Sequence, residues 1–153
     1  MAFISPVTLM GIIYGQDDHY FINDLEVEGN KSISKNEILF IVRQRPPNFF
    51  FRSPKFDPRL LRLDALTLKN YYYSKGFLDV VINESYHIKD SSNKNKFVDI
   101  LYKVVEGKQY HLSKVHINGN NLISKKKITK ILGLKIDSPY NPVGLNDNLY
   151  LLE

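Results

Sequence analysis

Cysteine is absent from the 153 residues. That excludes a disulfide framework, a thiolate metal site and a thiol nucleophile. It does not choose a compartment, because a cysteine-free chain suits an oxidising periplasm and a cytosol equally. No uninterrupted run of ~20 apolar residues occurs, so a membrane-spanning helix is not predicted. The apolar stretch from Met1 to Gly15 carries no charge, contains Pro6 and stops at Gln16-Asp17-Asp18. Its length suits the apolar part of a secretory signal peptide, with Gly15 before the cut, although the usual basic start is missing. A buried or tag-like arm is the other reading.

Catalytic constellations are missing too. There is no phosphate-binding glycine loop and no nucleophile elbow. His19, His87, His111 and His116 lack ligand-like spacing, no cysteine joins them, and His87 and His111 fall on separate predicted strands as surface or interface residues. No enzyme activity, cofactor or metal site is therefore expected. A hydrophobic share of 43% with 24% charged residues instead indicates an ordinary globular chain. The net charge of +5 permits acidic partners without requiring them. Ser124-Lys-Lys-Lys-Ile-Thr-Lys130 is a basic helix start, read as a solvated face, the commoner case, rather than a contact with nucleic acid or anionic lipid; no aromatic stacking platform with interleaved arginine is visible either.

The chain contains a repeat. Leu25-Glu-Val27-Glu-Gly29-Asn30-Lys-Ser-Ile33-Ser34-Lys35 matches Val115-His-Ile117-Asn-Gly119-Asn120-Asn-Leu-Ile123-Ser124-Lys125. Further on, Phe56-Asp57-Pro58 faces Tyr140-Asn141-Pro142, and Leu61 faces Leu145. The second copy is six residues shorter in between, a difference confined to a loop. Tandem units are predicted on this basis: residues 1–19 as leader and short linker, 20–108 as a complete unit, and 109–153 as the first half of another.

The first unit reads element by element. Phe21 to Val27 is strand-like, and Glu28-Gly29-Asn30 is a turn in which Gly and Asn tolerate a left-handed backbone. Ser34 and Glu37 form a capping box ahead of Ile38, Ile41 and Val42 on one helical face. Arg43 to Lys55 holds three prolines and is a loop. Its Phe49-Phe-Phe51 tract either meets a partner or packs beneath the loop, and packing is preferred. Asp57-Pro58 opens a second helix with Leu61, Ala65, Leu68 and Tyr72 as its buried stripe, ended by Gly76. Two strands follow. Leu78, Val80, Ile82, Tyr86 and Ile88 share one side of the first, broken by Glu84, while Val98, Ile100, Tyr102 and Val104 share one side of the second. Ser91 to Asn95 turns between them. The fold class is α+β, each unit β-α-α-β-β with a three-stranded mixed sheet covered by two helices.

This order, with Gly29, Asn30, Asp57, Gly76, Phe77 and Gly107, and with Gly119 and Asn120 in the second copy, resembles the POTRA (polypeptide-transport-associated) domain. It looks most like the arms of BamA-like proteins. The second copy departs at its helix cap, where Lys127 replaces the glutamate.

The resemblance implies an arm on the periplasmic side of the bacterial outer membrane. Such an arm binds unfolded outer-membrane protein clients and hands them to the protein's own C-terminal β-barrel, with accessory lipoproteins as further partners and no nucleic acid. No barrel segment is present in these residues. The resemblance also implies that the second strand lies at a sheet edge. Leu78, Asp79, Val80, Val81, Ile82, Asn83, Glu84, Ser85 and Tyr86 would then receive an extended client as an added strand. The plainer reading makes this strand scaffold, with Asp79 and Glu84 discouraging pairing. Three alternatives remain open: the arm of a secretion-type transporter, a cell-division protein with a POTRA-like domain, and a small basic nucleic-acid-binding module.

Overall fold

The computed structural model describes residues 19–48, 54–89 and 95–151. Both the apolar leader and the Phe49–Phe51 tract lie outside the described residues, as does most of the turn at Ser91 to Asn95. The elements run β1 (His19–Glu28), α1 (Lys35–Ile41), α2 (Pro58–Ser74), β2 (Val81–Lys89), β3 (Asn95–Val105), α3 (Lys125–Ile131) and α4 (Pro142–Leu149).

The sheet order is β1-β3-β2, with β1 parallel and β2 antiparallel to the central β3. Strand β3 puts Val98, Ile100, Tyr102 and Val104 on its buried side, as its two-residue alternation requires. Strand β1 does not alternate cleanly. Its register slips between Ile22 and Asp24, and that bulge lets Ile22 and Leu25, three positions apart, both enter the core.

Both helices cover that same face. Ser34 accepts the Glu37 amide at 3.2 Å to start α1, and Ile38 and Val42 are fully buried. The reciprocal half of the capping box does not form. The Glu37 carboxylate instead accepts the Tyr71 hydroxyl and pairs with Lys75 at 3.8 Å, because α2 lies close enough to offer both. Asp57 accepts the Arg59 amide at 2.8 Å, with Pro58 in the first turn of α2. Leu61, Ala65, Leu68 and Tyr72 are its buried stripe, joined by Asp64.

The helix ends in a Schellman turn. Gly76 has φ +88°, its amide donates to Tyr73 O and the Phe77 amide to Tyr72 O, each at 3.0 Å. The Phe77 ring then stacks edge-on against Tyr72 at 5.8 Å. This turn also seats the chain that follows β3. The Tyr110 amide donates to Gly76 O at 2.8 Å, and the Tyr140 amide to Tyr110 O at 2.9 Å. A side chain at position 76 would meet the Tyr110 carbonyl at 2.6 Å.

Three sequence-based expectations are corrected. β2 begins at Val81, not Leu78: Leu78 and Asp79 form a turn and Val80 is buried just ahead of the strand. Val115 to Ile117 is not a strand, since no described segment beside it plays the part that β3 plays for β1. His111 makes one isolated bridge, to Pro139, in place of a strand.

The local turn does recur. Gly29 and Gly119 have φ +79° and +75°. Asn30 and Asn120 do not take the left-handed backbone themselves. Each side-chain amide instead donates to a carbonyl three residues on, Ile33 at 2.9 Å and Ile123 at 3.0 Å. Ser124 caps α3 through the Lys127 amide and Asn141 caps α4 through the Gly144 amide, matching Ser34 and Asp57.

Candidate functional site

A three-stranded sheet has two edges, and here they differ. The outer edge of β1 is partly closed by the chain returning from the loop. Ile22 donates to Pro54 O at 2.7 Å and Phe56 donates to Tyr20 O at 2.9 Å, with Phe21 bridged to Lys55. Among the described residues β2 pairs with β3 alone. Every second amide and carbonyl of Val81–Lys89 therefore faces outward, the arrangement that accepts a further strand.

Of the nine residues assigned to this edge from the sequence, Val81, Ile82, Asn83, Glu84, Ser85 and Tyr86 lie on it. Leu78, Asp79 and Val80 do not. Asp79 accepts the Tyr110 hydroxyl at 2.8 Å instead, a bond that raises the pKa of that hydroxyl. On the helix side, Ile82 and Glu84 are half-buried, while Tyr86 and Ile88 are more exposed, at 47% and 38%. The Phe56 ring covers Tyr86 at 4.8 Å, so aromatic surface borders the open edge near its far end. On the opposite face stand Val81, Asn83, Ser85, His87 and Lys89. Lys89 pairs with Asp99 at 2.9 Å, and this hydrogen bond, chiefly, holds the Asp99 carboxyl below its ordinary value.

Of the other singled-out residues, Gly29 opens a turn that is held by Glu106. Gly29 crosses β3 so closely that a Cβ would lie 2.1 Å from the Val104 carbonyl. Glu106 accepts the Lys31 amide at 2.8 Å, the Ser32 amide at 2.8 Å and the Ser32 hydroxyl at 2.7 Å. Tyr72 donates to the same carboxylate at 3.1 Å. Burial pushes the Glu106 carboxyl up, but the bonds from Ser32, Tyr72 and Lys31 together outweigh it and hold the group below its usual range. Burial first, and then the Glu106 charge, raise the Tyr72 hydroxyl, which remains a donor. Gly107 (φ +73°) lets Asp79 approach to 2.9 Å of where a Cβ would stand.

Glu106 was overlooked as a buried ligand of the turn. The signal was its parity, since it continues the inward series Val98, Ile100, Tyr102 and Val104. Asp64, equally overlooked, lies within the α2 stripe and accepts the Arg43 and Gln44 amides, each at 2.9 Å. No group of three or more His, Asp or Glu side chains that could hold a metal occurs among the described residues. No described helix is long and apolar enough to cross a membrane.

A mixed three-stranded sheet roofed by two helices, with one edge partly closed and the other unpaired among the described residues, defines a small α+β domain. The family profile for POTRA, described as "Surface antigen variable number repeat", matches residues 20–107. The chain belongs to the POTRA family. It is 28% identical over 133 residues to the outer membrane protein assembly factor BamA of Buchnera aphidicola, covering 85% of this chain and 21% of that protein. It thus spans about a fifth of the length of that curated relative. Among solved structures, Haemophilus influenzae BamA POTRA3-5 superposes with a TM-score of 0.61 at 18% identity, covering 88% of this chain and 53% of that one. That likeness establishes the fold.

Proposed function

We propose that this chain is the polypeptide-binding arm of an outer-membrane protein assembly factor, working on the periplasmic side of that membrane. It takes extended, unfolded barrel clients as an added strand on β2 and passes them to a membrane barrel, with accessory lipoproteins as neighbours. The observation that carries the reading is the difference between the edges: β1 is partly occupied by Pro54–Phe56, whereas among the described residues nothing pairs with the outer edge of β2. Support for the setting comes from the relative named as an assembly factor.

Backbone pairing ignores client side chains, so one edge serves many sequences. About five added hydrogen bonds at ~1 kcal/mol net give ~5 kcal/mol, and ordering the client takes much of that back. The product is weak, reversible capture, as a hand-over step needs.

Titrating an extended barrel-strand peptide into labelled protein tests the mechanism. Amide shifts concentrated in Val81–Lys89, and lost when alternate peptide nitrogens are methylated, are the expected result. Shifts centred elsewhere, or insensitivity to methylation, would overturn strand addition.

A further inference from the structure

The outer sides of the sheet and of the helix layer differ in charge. Asp24, Glu26 and Asp99 line the open sheet face. Within α1 and α2 there are two carboxylates, and both are engaged, as is the Asp57 cap at the head of α2, which accepts the Arg59 amide. Asp64 is buried on the Arg43 and Gln44 amides, and Glu37 is held by Tyr71 and Lys75. In solvent on α2 stand Arg59, Arg62, Leu63 and Leu66, spaced to share one side. The two leucines are 48% and 55% exposed. No carboxylate among the described residues pairs with either guanidinium. On α1, Phe40 is 85% exposed, two positions past the fully buried Ile38 and so roughly 200° around the helix from the core.

We propose that this outer side of the helix layer rests on an anionic lipid surface, with Arg59 and Arg62 at the headgroups and Phe40, Leu63 and Leu66 inserted between them. Unpaired cations beside exposed apolar side chains, with no free carboxylate, match the interfacial pattern in which charge attraction and shallow apolar burial add. The depression here is shallow, about 480 Å³, and Pro58, Arg59, Arg62, Leu63 and Leu66 that line it all belong to α2. A partner helix needs a second wall to clasp it, whereas a planar lipid surface does not. This docking is independent of client capture, because it uses the helices and not the β2 edge.

The test is co-sedimentation of the full chain with phosphatidylcholine vesicles, with and without phosphatidylglycerol, at low and high salt. Binding only to the anionic vesicles, weakening as salt rises, is expected. R59Q/R62Q lowers partitioning by about fivefold per cation removed, and R59K/R62K retains it. F40S/L63S/L66S lowers it as well, with an unchanged circular dichroism spectrum. K125Q/K126Q/K127Q controls for the basic start of α3 and leaves binding largely intact. The proposal is overturned if the wild type stays in solution at low salt, or if R59Q/R62Q binds like wild type. It is equally overturned if only the triple lysine variant loses binding. Affinity for polyglutamate without affinity for vesicles also overturns it, and would point to an acidic protein partner.

Discussion

The Glu106 carboxylate accepts both the amide and the hydroxyl of Ser32, joining the end of β3 to a turn 74 residues earlier in the chain. Replacing it with glutamine keeps the shape but removes the charge that four donors address. Glu106→Gln is expected to lose about 1–3 kcal/mol of stability, read by urea denaturation. The folded carboxyl titrates below its ordinary value, so its contribution is complete above the unfolded value and is lost as pH falls through the lower folded one. Wild type and Glu106→Gln should therefore converge in stability in acid and diverge toward neutrality.

Gly29 and Gly119 share a backbone conformation but not a neighbourhood. An alanine at 119 meets nothing within 4 Å and bears only the left-handed backbone penalty, about 1 kcal/mol. An alanine at 29 meets the Val104 carbonyl and must displace a central strand, so about 3 kcal/mol or more is expected. Thermal melts of the two variants side by side measure the difference.

Two buried tyrosines should answer differently to loss of the hydroxyl. Tyr72 donates to Glu106, so Tyr72→Phe is expected to lose about 1 kcal/mol. The Tyr102 hydroxyl is buried and makes no hydrogen bond of good geometry, although the Asp64 and Gln44 side chains lie beside it, and burial, then the Asp64 charge, raise its pKa. Tyr102→Phe is expected to fall within about 0.5 kcal/mol of wild type, or to be more stable. Chemical denaturation of both variants decides.

Phe77 fastens the last turn of α2 against Tyr72. Phe77→Ala is expected to destabilise by about 3 kcal/mol. It should also speed hydrogen exchange at Lys75, Gly76 and Phe77, whose amides bond back to the last turn of the helix. An exchange map confined to other regions would contradict this.

The caps at Ser34, Asp57, Ser124 and Asn141 were legible in the sequence because a cap is written within three or four residues. The α2 stripe and the inward side of β3 were legible from their periods. Features set between distant segments were not. The slip at Asn23 exists because β1 must stay in register with β3, and no local pattern records that. The start of β2 was misplaced because Leu78 and Val80 extend its alternation, while tertiary contacts draw Asp79 to Tyr110 and Gly107. Glu37 has the composition of a capping box, yet a tyrosine 34 residues away takes its side chain. At the candidate site, membership of β2 was readable for six residues of nine. The occupation of the opposite edge by Pro54–Phe56 was not, since it depends on where a proline-containing loop returns.

The stop of α2 at Gly76 doubles as a bearing for what comes next, since its carbonyl holds Tyr110 and Tyr110 holds Tyr140. Orientation of the downstream segment is thereby geared to the integrity of one helical turn. A perturbation that frays that turn swings the segment beyond it, so tilt and local order rise or fall together.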